Sequence, residues 1–276
     1  MSAMAVTGDA SVIGPKLGEG REAEIYTWGN DAVLKLYRPG FGGHRTENLA
    51  LAALDGLTVV PRLIEVIERD GRIGLVLERL GGTDMLTLLQ QQPWHVAGFG
   101  RALAATHLAV HRLTAPGELA DVRELLTGRI GDASLPAPLR GFALSMLDRL
   151  PAGNRLCHGD YHPGNVLISG GRQSVIDWTA AARGAPEADH TRTLLLLRWA
   201  NPLPGTPLVF RALIAAGRSV LVRKYLRTYR QASPQPLQHM DLWLTANIAA
   251  RLSEGIDAER TKLLNLLNHA RRRQAH

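Results

Sequence analysis

The chain is poor in cysteine, poor in aromatic residues and free of long apolar runs. Its single cysteine, Cys157, cannot form an internal disulfide, which excludes a disulfide-stabilised fold and favours a reducing compartment. The most apolar stretch, residues 207–222, is interrupted by Arg211 and Arg218, so it lacks the ~18 uninterrupted apolar residues of a membrane helix. The first nine residues lack the basic and apolar segments of a signal peptide. We therefore expect a soluble, cytoplasmic protein with no membrane partner.

Positive charge, in contrast, is abundant, with a formal net charge of +7 and three arginines at 271–273. A basic balance can indicate a nucleic-acid partner. Aromatic residues make up only 5% of the chain and are not interleaved with the arginines, and no helix-turn-helix or zinc-finger spacing is present. We therefore keep nucleic-acid binding only as a third, weaker hypothesis, because a positive field equally suits a site for nucleotide phosphates.

The first eighty residues alternate between short β-rich runs and one helix. The runs at 23–28 and 32–37 are separated by a Gly-Asn-Asp turn, and those at 63–69 and 73–78 by an Asp-Gly turn, which is typical of β-hairpins. Residues 44–54 place their leucines at the spacing of a short helix. This pattern predicts a small antiparallel sheet with a helix packed on it.

After residue 82 the pattern becomes mostly helical, with prolines marking the breaks. Apolar residues over 138–150 follow helical spacing and predict a core-facing helix. One β island interrupts this half, with strand-like runs at 155–158, 166–168 and 174–176, before helices resume near residue 187.

The fold class that follows is α+β with two lobes. We predict a β-rich N-terminal lobe over residues 1–80, a connector at about 78–84, and a larger helical lobe over residues 81–276 that carries the small β insert. With 45% hydrophobic residues, the chain is long enough to build sizeable cores.

The β island carries the strongest chemical signal. Asp160 and Asn165 lie five residues apart between two strand-like runs, and Asp177 follows the next run. Phosphoryl transfer needs a carboxylate near the acceptor hydroxyl and metal ions that neutralise the phosphate oxygens. Magnesium is usually held by one or two carboxylates plus substrate phosphates, so this sparse set is sufficient. Local hydrogen bonding in a turn is the alternative interpretation, but it does not account for the joint spacing.

The His-Gly-Asp run at 158–160, with Asn165 five residues after the aspartate and an Ile-Asp-Trp segment at 176–178, closely resembles the catalytic core of the aminoglycoside phosphotransferase and choline kinase family. The resemblance implies a protein-kinase-like fold with Asp160 as the catalytic base. It also implies that Asn165 and Asp177 hold Mg²⁺ and that ATP or GTP is the phosphate donor.

The N-terminal half fits the same family. Lys35, in an Ala-Val-Leu-Lys strand, resembles the lysine that contacts the α- and β-phosphates. Gly18 and Gly20 lie where a phosphate-covering loop is expected, although only Gly-x-Gly is present. Glu47 in the first helix is our candidate to orient Lys35; an acid favoured by the helix dipole is an equally good interpretation.

The connector and the segment after Asp177 narrow the class further. Glu78 and Leu80 lie at the expected hinge, whose backbone would pair with the nucleobase. The chain has no Ala-Pro-Glu-type segment, and only a short connection separates Asp177 from the helix near residue 187. That leaves no room for a long activation loop, so a protein kinase is disfavoured.

Two histidines and one further acid have separate interpretations. His107 and His111 lie four apart, which is also a metal-ligand spacing, but no Glu or further His is placed to complete a site. We therefore interpret them as packing or surface histidines. By the resemblance, Asp189 braces the catalytic loop. A third histidine, His158, is interpreted as shaping that loop rather than as shuttling a proton.

The acceptor is the least determined part. A polycationic acceptor calls for several carboxylates, whereas arginine and lysine outnumber the acids after residue 187. Acids within 251–257 are placed to meet an amine, or they simply surround a helix end capped by Gly255. A quaternary amine would require an aromatic cage. The aromatic candidates are Tyr161, Trp178, Trp199 and Trp243.

By family analogy we expect an aminoglycoside, an amino sugar or a similar amine-bearing molecule. A catalytically silent nucleotide-binding protein of the same fold is the main alternative. The choice between ATP and GTP, the oligomeric state, and a role in antibiotic resistance or in metabolism stay open.

Overall fold

A computed structural model describes residues 13–54, 60–199 and 208–274. Its contacts divide the chain into two compact units. The sheet unit comprises Met1–Thr83 and Leu167–Ala180, and the helical unit comprises Asp84–Val166 and Ala181–His276. The assignment of residues 1–80 to nucleotide binding and 81–276 to acceptor binding stays a prediction.

The sheet unit contains a five-stranded antiparallel sheet in the order β1-β2-β3-β5-β4 and one helix, α1. These elements are β1 (Ile13–Glu19), β2 (Ala23–Trp28), β3 (Ala32–Tyr37), α1 (Gly43–Ala53), β4 (Leu63–Arg69) and β5 (Arg72–Glu78). The predicted hairpins and helix are confirmed. The chain reverses between β4 and β5 at Asp70 and Gly71, whose φ angles of 51° and 70° suit the tight primed turns of hairpins.

Alternation on the central strands builds the core of this sheet. Leu34 and Leu36 of β3 are buried together with Ala32 and with Val76 of β5. Successive side chains of a strand point to opposite faces, so this cluster lies on one face of the sheet. Burying a leucine or valine fully contributes about 1.5–3 kcal/mol, and these contacts set the register of β3 against β5.

The remaining strands are short. They are β6 (Thr83–Asp84), β7 (Arg155–Cys157), β8 (Val166–Ser169), β9 (Arg172–Val175) and β10 (Ala182–Gly184). Strands β6, β8 and β9 form a three-stranded sheet in the order β6-β8-β9, and β7 pairs antiparallel with β10. The turn between β8 and β9 has two glycines with positive φ, Gly170 and Gly171. The predicted β insert is therefore present.

The helical unit consists of eight helices that the structure describes. They are α2 (Met85–Gln91), α3 (Val96–His111), α4 (Val122–Asp132), α5 (Ala137–Asp148), α6 (Pro186–Trp199), α7 (Leu208–Ala232), α8 (Met240–Arg251) and α9 (Asp257–Gln274). Asp84 and Asp121 cap α2 and α4 by accepting the backbone N–H groups of Thr87 and Arg123.

Helix α8 lies at the centre of the main core. Its Trp243, Ala246 and Ala249 are completely buried among residues of α4, α5, α6 and α9. Small residues on α8 allow its neighbours to approach closely, and the stripe predicted over 138–150 fills the facing side of α5. Helix α7, which contains residues 208–222 of the most apolar stretch, packs against α3; residue 207 lies outside the described residues. Among the described residues, no helix is long and apolar enough to cross a membrane.

Candidate active site

Lys35 is the centre of the charged site in the sheet unit. Its Nζ lies 2.6 Å from Glu47 Oε2 and 2.8 Å from Asp177 Oδ1. The Lys35 side chain is 11% exposed, so its charge is largely removed from water. Burial disfavours the ammonium, but the carboxylates of Glu47 and Asp177 outweigh it and raise the pKa of Lys35. Lys35 is therefore a fixed cation at neutral pH.

Glu47 has three partners in addition to its position on α1. Its Oε2 accepts hydrogen bonds from Lys35 and from the Tyr37 hydroxyl, and its Oε1 accepts the backbone N–H of Trp178 at 3.1 Å. Only 1% of the surface of Glu47 is exposed, so its carboxylate is stabilised by these three hydrogen bonds rather than by hydration. The structure thus brings together Glu47, Lys35 and the segment that contains Asp177.

Asp177 adopts an unusual backbone conformation. Its φ of 65° lies in the left-handed region, which costs an aspartate less than most residues and commonly marks functional sites. Thr179 Oγ1 donates to Asp177 Oδ1 at 3.1 Å. The Asp177 side chain is 44% exposed, in contrast to Glu47, so this carboxylate is accessible to a ligand while it pairs with Lys35.

Of the two glycines predicted to cover the phosphates, Gly18 lies within β1, paired with Ile25 of β2, and Gly20 lies in the turn between these strands. The backbone N–H of Gly20 donates to Ala23 C=O at 2.8 Å and closes this turn. A Cβ built on Gly18 would meet no atom within 4 Å, and one built on Gly20 would meet only Ala23 C=O at 3.9 Å. Neither glycine is required by packing within the described residues, and their proposed role at the phosphates rests on the resemblance alone.

The connector residues are placed at the end of β5. The backbone N–H of Glu78 donates to Arg62 C=O at 2.9 Å, and the Glu78 carboxylate accepts the Arg62 N–H at 3.2 Å. The Glu78 N–H is therefore already used within the sheet unit. Leu80, two residues later, lies outside any strand and is half-buried.

Asp160 lies in the loop after β7 in the helical unit. Its carboxylate lies 3.6 Å from His162 Nε2 and 3.5 Å from Arg192 Nη2. Burial works against ionisation, but the hydrogen bond from His162 and the charge of Arg192 lower the pKa of Asp160 to about 2. Asp160 is ionised at neutral pH and acts as a hydrogen-bond acceptor.

Asn165 belongs to the same loop. Its Nδ2 donates to the backbone C=O of Asp160 at 3.0 Å, which locks the five-residue spacing into one turn. The amide nitrogen is used in this bond, so the amide oxygen is the atom that could bind a cation. An amide oxygen is among the oxygen ligands that hard cations such as Mg²⁺ accept.

Asp189 holds the backbone just before Asp160. Its Oδ2 accepts the His158 N–H at 2.6 Å and its Oδ1 accepts the Gly159 N–H at 2.9 Å. Gly159 has a φ of 77°, where a side chain would be strained. Asp189 is only 2% exposed, and donated hydrogen bonds hold its pKa well below the usual range despite burial.

His107 and His111 complete the surroundings of Asp189. Their Nε2 atoms lie 3.1 and 3.2 Å from Asp189 Oδ2, and their Nδ1 atoms contact the hydroxyls of Tyr225 and Tyr229. Within the described ranges, these three are the residues whose ligand atoms lie close enough to share a metal ion. The third residue is an aspartate rather than a Glu or a further His, and α6 carries it to the histidines from 78 positions along the chain.

Both histidines are buried, and each already has a contact at both ring nitrogens. Burial lowers the pKa of His107 to about 3, so the ring is neutral. A neutral His107 that donates from Nε2 to Asp189 must accept the Tyr225 O–H at Nδ1, which leaves both ring nitrogens satisfied.

The acids near the end of α8 are paired with arginine. Glu254 contacts Arg192 at 2.7 Å and also accepts from Arg251, and Arg251 binds both oxygens of Glu259 at 2.9 and 3.1 Å. Gly255 has a φ of 68° and ends this turn. These contacts favour the capping interpretation over an amine site at Glu254.

The aromatic candidates for a cage are mostly core residues. Tyr161, Trp178 and Trp243 have no exposed surface, and Trp199 is half-buried. Cys157 is buried and forms no disulfide, which is typical of a cysteine that serves as a small apolar residue. Arg192, Tyr225 and Tyr229 were missed by sequence reasoning. The i, i+3 spacing of Asp189 and Arg192 was the available signal.

Comparisons with known proteins agree with this architecture. The profile of the phosphotransferase enzyme family matches residues 16–248, whereas no curated protein matches the chain. A choline/ethanolamine kinase family protein from Mesorhizobium loti has a TM-score of 0.60 and 16% identity, covering 95% of this chain and 88% of that one. A thermostable mutant of aminoglycoside phosphotransferase APH(4)-Ia, bound to ADP and hygromycin B, has a TM-score of 0.62 and 17% identity over 95% and 94%.

An amicoumacin kinase in complex with AMP-PNP and Ca²⁺ is also similar, with a TM-score of 0.62 and 14% identity over 91% of this chain and 86% of that one. At these identities, the likeness to the solved structures shows the fold alone. The fold is kinase-like, and the predicted fold class is confirmed.

Proposed function

Because this chain belongs to the phosphotransferase enzyme family, we propose that it is a magnesium-dependent kinase that transfers the γ-phosphate of ATP or GTP to a hydroxyl of a small molecule. The observation that carries this proposal is the Lys35 ammonium, held at 2.6 and 2.8 Å by Glu47 and Asp177. Kinases require a strand lysine oriented by a helix glutamate together with a metal-binding aspartate.

The alternative explanation of this triad is stability alone. Buried ion pairs contribute little to stability, because the cost of removing charges from water often exceeds their attraction. Packing of the core also does not require the exposed Asp177 carboxylate or the positive φ of Asp177. A site that binds phosphate would account for the buried ion pair, the exposed carboxylate and the positive φ together.

Asn165 and Asp177 would hold Mg²⁺, which when bound would neutralise charge on the phosphate oxygens. Lys35 would bind the α- and β-phosphates, with Glu47 keeping its ammonium in place. Gly18 and Gly20 would cover the phosphates, and the backbone near Glu78 and Leu80 would pair with the base. These assignments follow the family resemblance.

Asp160 would accept the hydrogen bond of the acceptor hydroxyl and orient its oxygen. With a pKa of about 2, this carboxylate is a weak base. A weak base suits a loose transition state, because the hydroxyl loses its proton only late in the phosphate transfer. Asp160 thus acts mainly by positioning the nucleophile and then receives its proton.

For the acceptor, we propose an aminoglycoside, an amino sugar or a similar amine-bearing molecule, by analogy with the family. The pairing of Glu254 and Glu259 with arginine argues that these two acids are not the amine contacts. We also propose a cytoplasmic location, where nucleoside triphosphates are supplied.

The test is transfer of phosphate from MgATP and MgGTP to a panel of aminoglycosides, amino sugars and choline-like amines, read as a mass gain of one phosphate. We expect Asp160→Asn to reduce kcat by roughly 10²–10⁴-fold and to leave nucleotide-induced thermal stabilisation intact. Asp132→Asn, on the exposed end of α4, is the matched control. Nucleotide binding without any phosphorylated product would favour a catalytically silent protein, and an Asp160→Asn variant at the parent rate would overturn the role of Asp160.

A further inference from the structure

We propose that Arg192 is the positioning residue for the Asp160 carboxylate and that Glu254, Arg251 and Glu259 hold Arg192 in place. The inference rests on the proposed function in one respect, because Asp160 is taken as the group that receives the acceptor hydroxyl. Arg192 lies outside the family motif quoted above, and its role comes from the contacts of the helical unit.

Arg192 contacts the catalytic loop at two points. Its Nη2 lies 3.5 Å from Asp160 Oδ1, and its Nε donates to the backbone C=O of Gly159 at 3.4 Å. The residue is 7% exposed, so its guanidinium is held by protein groups rather than by water. A planar guanidinium with fixed donors restrains a carboxylate in direction as well as in distance.

A second carboxylate holds Arg192 from the other side. Glu254 Oε1 lies 2.7 Å from Arg192 Nη2, the same nitrogen that faces Asp160. Nη2 carries two hydrogens, so it can donate one to each carboxylate. The shorter contact, to Glu254, anchors Arg192. The longer contact, to Asp160, leaves the Asp160 carboxylate able to accept a further hydrogen bond from the hydroxyl of the substrate.

The anchor continues into the C-terminal helix. Arg251 pairs with Glu254 and binds Glu259 of α9 through two parallel contacts at 2.9 and 3.1 Å. Bidentate arginine–carboxylate pairs are the most directional ion pairs in proteins. A row of alternating charges thus runs from Asp160 through Arg192, Glu254 and Arg251 to Glu259.

Helix α6 holds the loop with two residues one turn apart. Asp189 accepts the N–H groups of His158 and Gly159, and Arg192 restrains Gly159 C=O and the Asp160 carboxylate. Residues at i and i+3 share one face of a helix, so both lie toward the same loop. Asp189 therefore sets the backbone, and Arg192 sets the side chain.

Steady-state kinetics of the full chain with an acceptor from the panel provides the first test. We expect Arg192→Met to lower kcat by roughly 100-fold with little change in the KM for nucleotide. Arg192→Lys should recover part of the loss, since its single charge can reach one carboxylate but not both. In Glu254→Gln, a smaller loss of kcat is expected, and combining it with Arg192→Met should add nothing further.

The matched control is Arg183→Met, which removes an arginine paired with Asp121 at 3.7 Å elsewhere in the helical unit. It should leave kcat unchanged. The proposal is overturned if Arg192→Met keeps the parent kcat, if only the nucleotide KM rises, or if the Arg192 and Glu254 losses are fully additive.

A readout that needs no turnover separates this inference from the proposed function. The Arg192 Nε–H signal in ¹⁵N NMR spectra, identified by its loss in Arg192→Lys, should shift in Asp160→Asn and in Glu254→Gln but not in Asp132→Asn. If the Arg192 signal keeps its chemical shift in Asp160→Asn, the inference is overturned, whichever molecule is the phosphate acceptor. A parent protein that transfers no phosphate while this signal behaves as expected would instead overturn the proposed function alone.

Discussion

Glu47 in the sheet unit and Asp189 in the helical unit are both buried acids that hold a functional loop, yet their partners differ. Glu47 binds the Lys35 ammonium at 2.6 Å, together with the Trp178 N–H and the Tyr37 hydroxyl. Asp189 binds four N–H groups, two from the backbone at 158–159 and two from His107 and His111.

The difference lies in how each negative charge is compensated. Glu47 faces a cation that also pairs with the accessible Asp177, so under the proposed function these pairs can rearrange when phosphate binds. Asp189 is surrounded by N–H donors, and the hydrogen bonds from His107 and His111 help to hold its pKa well below the usual range despite burial. Under the proposed function, the sheet unit therefore has an exchangeable ion pair, whereas the helical unit has a permanent brace.

The strongest test of this comparison is Asp189→Asn. The asparagine amide has one acceptor oxygen where the carboxylate has two, and its NH₂ group faces other hydrogen-bond donors. Several of the buried N–H groups that now bind Asp189 would therefore lose their acceptor. We expect a loss of about 3–5 kcal/mol in the free energy of unfolding, measured by urea unfolding. Hydrogen exchange should quicken at the amides of His158 and Gly159.

Glu47→Gln is the counterpart in the sheet unit. Lys35 keeps Asp177, and the amide oxygen can still accept, so we expect a loss of about 1–2 kcal/mol with faster exchange at the Trp178 amide. Equal losses in the two variants would contradict the distinction between a permanent brace and an exchangeable ion pair.

The second prediction concerns the pH dependence of stability, because the helical unit should lose stability at acid pH and the sheet unit at alkaline pH. The folded-state pKa of His107, about 3, lies below the ordinary value of 6.5, so the unfolded chain binds its proton first. Stability should be complete above about pH 6.5 and fall toward pH 3, by at most about 1.4 kcal/mol per pH unit for this proton. His190, whose pKa burial also lowers, adds to the same trend.

The stability contribution of Lys35 depends on pH in the opposite direction. Its pKa is raised above the ordinary 10.5, so its contribution is complete below that value and is lost as the pH rises through the folded-state pKa. Urea unfolding across pH should show a shallower acid slope in His107→Gln and a shallower alkaline slope in Lys35→Met. His269→Gln, at an exposed histidine of α9, should change neither slope.

Removing one hydroxyl in each region should cost less stability than Asp189→Asn does. Tyr229→Phe removes the hydroxyl that contacts the buried Nδ1 of His111, so we expect a loss of about 1–3 kcal/mol. Tyr37→Phe removes one of several donors to Glu47, and we expect about 0.5–1.5 kcal/mol. Thermal unfolding of the two variants provides the measurement, and a larger loss in Tyr37→Phe would reverse the ranking.

Much of the fold could be predicted because its signals are local. Strands β2, β3 and β4 begin and end where alternation and turn residues indicate, and the α5 stripe follows helical spacing. The assignment of Leu167–Ala180 to the sheet unit was not predicted, because contacts between distant segments decide it.

The site shows the same division. Asp160 and Asn165 are recognisable because they lie in one turn, joined by the Asn165 amide. Arg192 and Tyr229 were not recognised, since each reaches the loop or its brace from a separate helix. An arginine or tyrosine in a helical pattern has many roles, and spacing alone does not separate them.

By itself, the sequence determined the order of strands and helices and the kinase-like spacing of Asp160, Asn165 and Asp177, because turns, alternation and loop motifs depend on neighbouring residues. Only the tertiary structure decided the partners of the charged groups. Lys35 meets Asp177 across 142 positions, and Glu254 is occupied by two arginines rather than free for an amine. The physical reason is that a buried charge must find its compensation in space, wherever the packed chain brings it.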